Sequence, residues 1–192
     1  MNRVFAQLGA SNHSTAERQK DDYYATHPKA VELLMDLETF APVVWEPASG
    51  EDHIANVLRA HGHTVRTSDL VKRLPTTEPL DFLACTEPMP NADIITNPPY
   101  KYAAKFVKHA LELVDNGRKV AMLLRLNFLE GKSRHALFEM QPPKTVWVSS
   151  ARLICAKNGD FETYHENTAI AYAWFVWEKG YKGTTAVKWF NY

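Results

Sequence analysis

The sequence predicts an α/β protein: a doubly wound, mostly parallel sheet of about seven strands, ending in an antiparallel C-terminal hairpin. Three observations lead there. Short apolar bursts alternate with stretches of helical period through the first two thirds of the chain, tight-turn residues follow two of those bursts directly, and the last third turns strand-rich without helical spacing. The chain has 192 residues, 45% of them apolar, with 22 basic residues against 22 acidic ones. That composition suits a single folded domain and excludes a disordered chain.

Taken in order, residues 1–22 are polar and aperiodic and read as a loose leader, with one domain over 23–192. Behind Pro28, the apolar residues Ala30, Val31, Leu33, Leu34 and Leu37 recur at helical spacing, and proline suits a helix start. Pro42 to Glu46 is a short apolar burst stopped by Pro47 and Gly50. A helix carrying Ile54, Val57 and Leu58 follows. His63 to Ser68 alternates like a strand, Pro75 to Pro90 is loop-like, and Ala92 to Thr96 is a short buried run. Lys101 to Asn116 places Ala104, Val107, Leu111 and Val114 on one helical face, and Lys119 to Leu124 reads as another buried strand. Strands alternating with helices in this way indicate βαβ units and a sheet covered on both faces. The segments Lys144 to Ser149 and Ala169 to Trp177 then form the hairpin, joined by a polar stretch from Ala156 to Thr168.

The longest apolar run, Ala169 to Trp177, is too short to span a bilayer, and the first residues lack the apolar core of a signal peptide. A cytoplasmic protein with no membrane association is expected. Cys85 and Cys155 belong to no Cys-x-x-Cys or Cys/His cluster, so neither a disulfide framework nor a metal site is expected. The zero net charge hides a segregation. Asp36 to Asp93 holds ten acidic and four basic residues, whereas Lys101 to Arg134 holds eight basic and three acidic. The first suits a cationic small molecule and the second a phosphate backbone, although ordinary surfaces also show segregation of this size.

In a doubly wound sheet, ligands bind beyond the carboxyl ends of the strands near the switch in strand order. Two features fall at such ends. Glu46-Pro47-Ala48-Ser49-Gly50-Glu51-Asp52 is a strand-to-helix turn whose glycine lets the backbone approach a ligand; a purely structural turn is the other reading. Asn97-Pro98-Pro99-Tyr100 is stiffer, because two prolines fix φ and bias the preceding residue away from helix. The Asn97 side-chain oxygen and the Pro98 carbonyl are placed to accept the two hydrogens of a planar amino group, and Tyr100 offers a ring for stacking. A rigid turn with a core tyrosine is the alternative.

Asn-Pro-Pro-Tyr after an apolar strand, about fifty residues beyond a Glu-Pro-x-x-Gly turn, resembles the S-adenosyl-L-methionine-dependent amino-methyltransferases, particularly the DNA adenine-N6 methyltransferases in their small phage or bacterial form. The resemblance covers roughly Asp22 to Trp177. It implies a Rossmann-like class I methyltransferase domain with Asn97, Pro98, Pro99 and Tyr100 as the catalytic loop. It also implies cofactor contacts from Tyr23, Tyr24 and Thr26 ahead of the first helix, and from Glu46, Pro47, Ala48 and Gly50 in the glycine turn. Asp69 with Leu70 would sit at the cofactor ribose, Asp81 with Phe82 at its adenine, and Asn97 beside both cofactor and target. Where the family carries a second turn glycine this chain has Asp52, a residue type that tolerates left-handed backbone better than most.

Further substrate contacts are expected from Lys101, Lys105, Phe128, Lys132 and Arg134. A solvated lysine face and a core phenylalanine are the competing readings. DNA is the expected substrate. RNA adenine, a protein glutamine amide and a non-catalytic module on the same fold are alternatives; the protein substrate is disfavoured because only some forty-five residues precede the glycine turn. The fifteen residues after Trp177 leave no room for a separate target-recognition region. Short or relaxed sequence preference, or help from a partner subunit or second copy, is therefore expected.

Overall fold

The computed structural model describes residues 23–151, 153–157, 159–162 and 170–190. The expected leader, residues 1–22, lies outside them, as does most of the polar stretch before Ala169. The elements are β1 (Tyr24–Thr26), α1 (Pro28–Leu37), β2 (Val43–Glu46), α2 (His53–Ala60), β3 (Thr64–Asp69), β4 (Glu78–Pro79) and β5 (Ala92–Thr96), then α3 (Ala103–Leu113), β6 (Lys119–Arg125), α4 (His135–Met140), β7 (Thr145–Ser149), β8 (Cys155–Lys157), β9 (Tyr172–Glu178) and β10 (Ala186–Phe190).

Eight strands form the main sheet in the order β10-β7-β9-β6-β5-β2-β3-β4. From β6 to β4 all neighbours are parallel, whereas β9 runs antiparallel between β6 and β7. The expected fold class is therefore observed, with eight main-sheet strands rather than seven and an additional two-stranded sheet of β1 and β8. The expected helix over Lys101 to Asn116 is shorter, because a 3-10 turn over Tyr100–Tyr102 precedes α3. The weakest signals correspond to the elements not expected: β4 is two residues long, α4 is six, and β10 runs through three consecutive exposed residues, Val187, Lys188 and Trp189, without alternation.

The central strands are mostly apolar on both faces because both are covered. Val44, Ile95, Ala121 and Leu123 pack on the side of α1 and α2 with Leu34 and Leu58. Their neighbours Trp45, Ile94, Val120, Met122 and Leu124 pack on the side of α3 with Phe106 and Val107. Alternation with period two thus fills two separate cores. The three buried tryptophans satisfy their indole N–H groups: Trp45 donates to Ser68 Oγ (2.9 Å), Trp174 to the Ala30 carbonyl (2.8 Å) and Trp177 to the Gln141 carbonyl (3.0 Å).

Strand order reverses at β2 and β5, which pair in parallel with Trp45 opposite Ile94. The carboxyl ends of these two strands carry Glu46 and Asn97, so the topology alone brings the two sequence motifs together. No helix among the described residues is long and apolar enough to cross a membrane.

Candidate functional site

The first wall of the site is the turn after β2. Glu46 is buried, and its Oε2 accepts from the Ala55 backbone N–H of α2 at 2.9 Å. Gly50 adopts φ +56°, and a Cβ there would run into the Tyr23 ring, so both the backbone and the close approach require glycine. Asp52, in place of a second glycine, also adopts left-handed backbone (φ 62°). It is held by a 2.9 Å ion pair with Arg59, although its Oδ1 has no partner among the described residues. Full burial and the nearby Asp52 carboxylate, with a smaller contribution from Asp69, push the Glu46 carboxyl well above its usual range.

Asp69 ends β3 and ties this turn to the sheet. Its Oδ2 accepts from Gly50 N at 2.9 Å, while Oδ1 accepts from Val71 N at 2.9 Å and Arg73 Nη1 at 3.2 Å. The Arg73 guanidinium also lies 4.4 Å over the Tyr23 ring. Leu70 follows with 71% of its surface exposed beside the cavity, as an apolar face suited to a planar ring.

The second wall is the loop after β5. Asn97 Nδ2 donates twice to β1, to the Tyr24 carbonyl (2.9 Å) and to Thr26 Oγ1 (3.0 Å). With both donors spent on the wall, its buried Oδ1 has no partner among the described residues. An asparagine fixed by its nitrogen and unpaired at its oxygen, on a residue that lines the cavity, keeps acceptor capacity in place. The Pro99 carbonyl is taken by Tyr102 N at 2.8 Å, which closes the 3-10 turn. Tyr100 packs against Tyr24 and Tyr172, with ring centres 5.8 and 5.7 Å away, and the Arg125 guanidinium lies 4.7 Å over its ring. Burial, with Cys155 and Tyr172 alongside, pushes its hydroxyl well above the ordinary range, so the ring is a neutral phenol.

Between the walls lies a cavity of about 920 Å³, lined by both motifs and by Tyr23, Tyr24, Thr26, Asp69 and Leu70. That is the upper end of the roughly 300–1,000 Å³ common for small-molecule sites. Pro98, Gly50, Lys105 and Lys132 are not in its lining. Lys132 instead borders a separate surface depression with Leu129 and His135.

Several expected contacts have other partners in the fold. Phe128 is buried against Phe138, Phe175 and Trp177, so most of its ring is core. Arg134 donates to the carbonyls of Phe128 (2.8 Å), Asn127 (3.2 Å) and Glu130, so its guanidinium shapes the loop after β6 rather than standing free for a phosphate. The Phe82 ring is buried between Trp45 and Phe106, and Asp81 caps the short turn behind it by accepting from Leu83 N at 3.0 Å. Sequence reasoning missed Arg125, Arg73 and Tyr102, all of which line the cavity. Each lies within a few residues of a strand end that had already been singled out, and that position was the only available signal.

The chain matches no family model and no curated protein. It does resemble solved structures. A protein from Listeria monocytogenes, described as a class I S-adenosylmethionine-dependent methyltransferase, superposes with a TM-score of 0.61 at 13% identity, over 90% of this chain and 67% of its own. A protein from Pyrococcus horikoshii described as an RNA methyltransferase gives 0.60 at 13% identity, over 85% and 90%. The type IIG restriction endonuclease BpuSI gives 0.58 at 15% identity, over 82% of this chain but 26% of the endonuclease. With parallel strands on either side of the β2/β5 switch and β9 inserted antiparallel between β6 and β7, the chain has the class I methyltransferase fold.

Proposed function

We propose that the protein transfers a methyl group from S-adenosyl-L-methionine to the exocyclic N6 amino group of adenine in DNA. The observation that carries this reading is the Asn97 oxygen, buried at the end of β5, locked by two hydrogen bonds to β1 and left without a partner. It is the acceptor that an amino group needs.

The residues also fit the cofactor. The cavity has the volume for an adenosine-sized ligand beside a base, Leu70 gives an apolar face, and the carboxyl groups of Glu46 and Asp69 supply acceptors. The cofactor brings an electrophilic methyl on a sulfonium, and the protein supplies position and electrostatics. An adenine amino group is a poor nucleophile because its lone pair is delocalised into the ring. Acceptance of an amino hydrogen by Asn97 Oδ1 favours a pyramidal nitrogen and stabilises the positive charge that develops on it; the Pro98 carbonyl, outside the cavity lining, is not assigned the second hydrogen. No base is required before attack. Alignment by the rigid Pro98-Pro99 turn contributes the proximity component. A base in a duplex must be flipped out of the stack to reach Asn97. Arg125 already covers the Tyr100 ring, so the planar surface offered to that base is largely the guanidinium, which stacks on bases as well as an aromatic ring does.

RNA adenine is the second reading, supported by the likeness to the Pyrococcus horikoshii protein described as an RNA methyltransferase. Incubation with labelled S-adenosylmethionine and separate DNA, RNA and protein pools separates the readings. Label in DNA adenine is expected, and label in none of the pools would remove the proposal.

Glu46 adds a pH signature. Its carboxyl is protonated well above the ordinary carboxylate range, so the stability it contributes is full below that range and is lost as pH rises through the raised value. A cation bound beside it favours the ionised form. In the pH range above the ordinary carboxylate values, cofactor binding is therefore expected to release a proton. Calorimetry in two buffers of different ionisation enthalpy measures this directly, and identical heats in both would contradict it.

A further inference from the structure

Tyr102 stands at the rim of the cavity with 40% of its surface exposed, two residues beyond the Asn97 to Tyr100 loop. The fold does not need it there. The helix it leads into buries Ala103, Phe106, Val107 and Ala110, while Tyr102 points its ring to water. The ammonium groups of Lys101 and Lys105 lie 5.2 and 5.9 Å from the centre of that ring. Both lysines are exposed, as is Lys108 one turn further on. Among the described residues, none of the three belongs to an ion pair. An exposed aromatic ring bracketed by unpaired cations, continuous with a cavity built for a planar amino group, is the arrangement that binds single-stranded nucleic acid.

We infer that Tyr102, Lys101 and Lys105 form a subsite for the nucleotide beside the target base. The inference rests on the nucleic-acid reading above and specifies how the strand is held. The neighbouring base stacks on the Tyr102 ring. An ammonium over an exposed ring is held only weakly, so the base displaces it, and its flexible stem carries the charge to a flanking phosphate. Stacking of this kind tolerates any base because every base has a π face, so the subsite grips the strand without reading its sequence.

The test uses the full chain and a fluorescent adenine-containing DNA oligonucleotide, with binding followed by anisotropy across a salt series. Tyr102→Ala is expected to weaken oligonucleotide binding roughly tenfold, whereas Tyr102→Phe, which keeps the ring, binds like the parent. Lys101→Ala and Lys105→Ala are each expected to lower the slope of log affinity against log salt by about 0.7 to 0.9. Cofactor affinity, measured separately by calorimetry, stays unchanged in the Tyr102 variants and reports that they are folded. Unchanged binding by Tyr102→Ala, or an equal loss in Tyr102→Phe, would overturn the subsite. A parent protein that methylates DNA while Tyr102→Ala binds normally removes the subsite alone. A parent protein that neither binds nor methylates nucleic acid removes the functional reading and the subsite together.

Discussion

Asn97→Ala is expected to lower methyl transfer by at least about 100-fold, the usual cost of removing one pre-aimed group that stabilises transition-state charge. The side chain does two things, and the variant loses both. Its oxygen is the open acceptor at the end of β5, and its nitrogen ties β1 to that strand through Tyr24 and Thr26. Asn97→Asp separates the two roles, because it keeps an acceptor in place while facing the Tyr24 carbonyl without a donor. It should therefore retain more turnover than the alanine variant but fold less stably, by about 1–3 kcal/mol for the stranded carbonyl. Turnover and cofactor affinity measured side by side check both statements. Cofactor affinity should change little in either variant, and an alanine variant with a tenth or more of parental turnover would refute the proposed role.

Asp69→Ala is expected to weaken cofactor binding about 100-fold. Its carboxylate accepts from Gly50 N and Val71 N and pairs with Arg73, so it fixes the approach of the glycine turn to the end of β3. In the proposed complex it also accepts from the ribose hydroxyls. A hydrogen bond to a charged group contributes about 1.5–3 kcal/mol, and 1.4 kcal/mol is tenfold in affinity, so the loss of even one such bond together with a loosened turn reaches that size. Calorimetry with S-adenosylhomocysteine reads the change without requiring turnover. An affinity within threefold of the parent would show that Asp69 is occupied by the turn and by Arg73 alone.

The order of elements and both motif-bearing turns were legible because their signals are local. Val43 to Glu46, Ala92 to Thr96 and Lys119 to Leu124 are short, mostly apolar runs, which is what burial on both faces demands. Pro98 and Pro99 restrict the backbone whatever surrounds them. Asp52 was legible only as the residue standing where the resemblance implies a second glycine, and the structure gives it the left-handed backbone that few residues tolerate.

Side-chain partners were not legible, because they are set by residues far apart in the chain. Arg134 looked like a free cation in a basic segment, yet a guanidinium within reach of three loop carbonyls binds them. For Phe128 a stacking ring and a core ring were competing readings, and its contacts with Phe138 and Trp177 put most of the ring in the core while the residue still lines the cavity. The pairing of β1 with β8 joins segments about 130 residues apart, and nothing local in either short strand announces the other. The sequence alone determined the fold class, since it follows from backbone restriction and periodic burial. Only the tertiary structure decided which oxygen of the site is left open, which rings are free and which cations are unspent. Hydrogen-bond capacity is finite, and three-dimensional proximity, not spacing along the chain, allocates it.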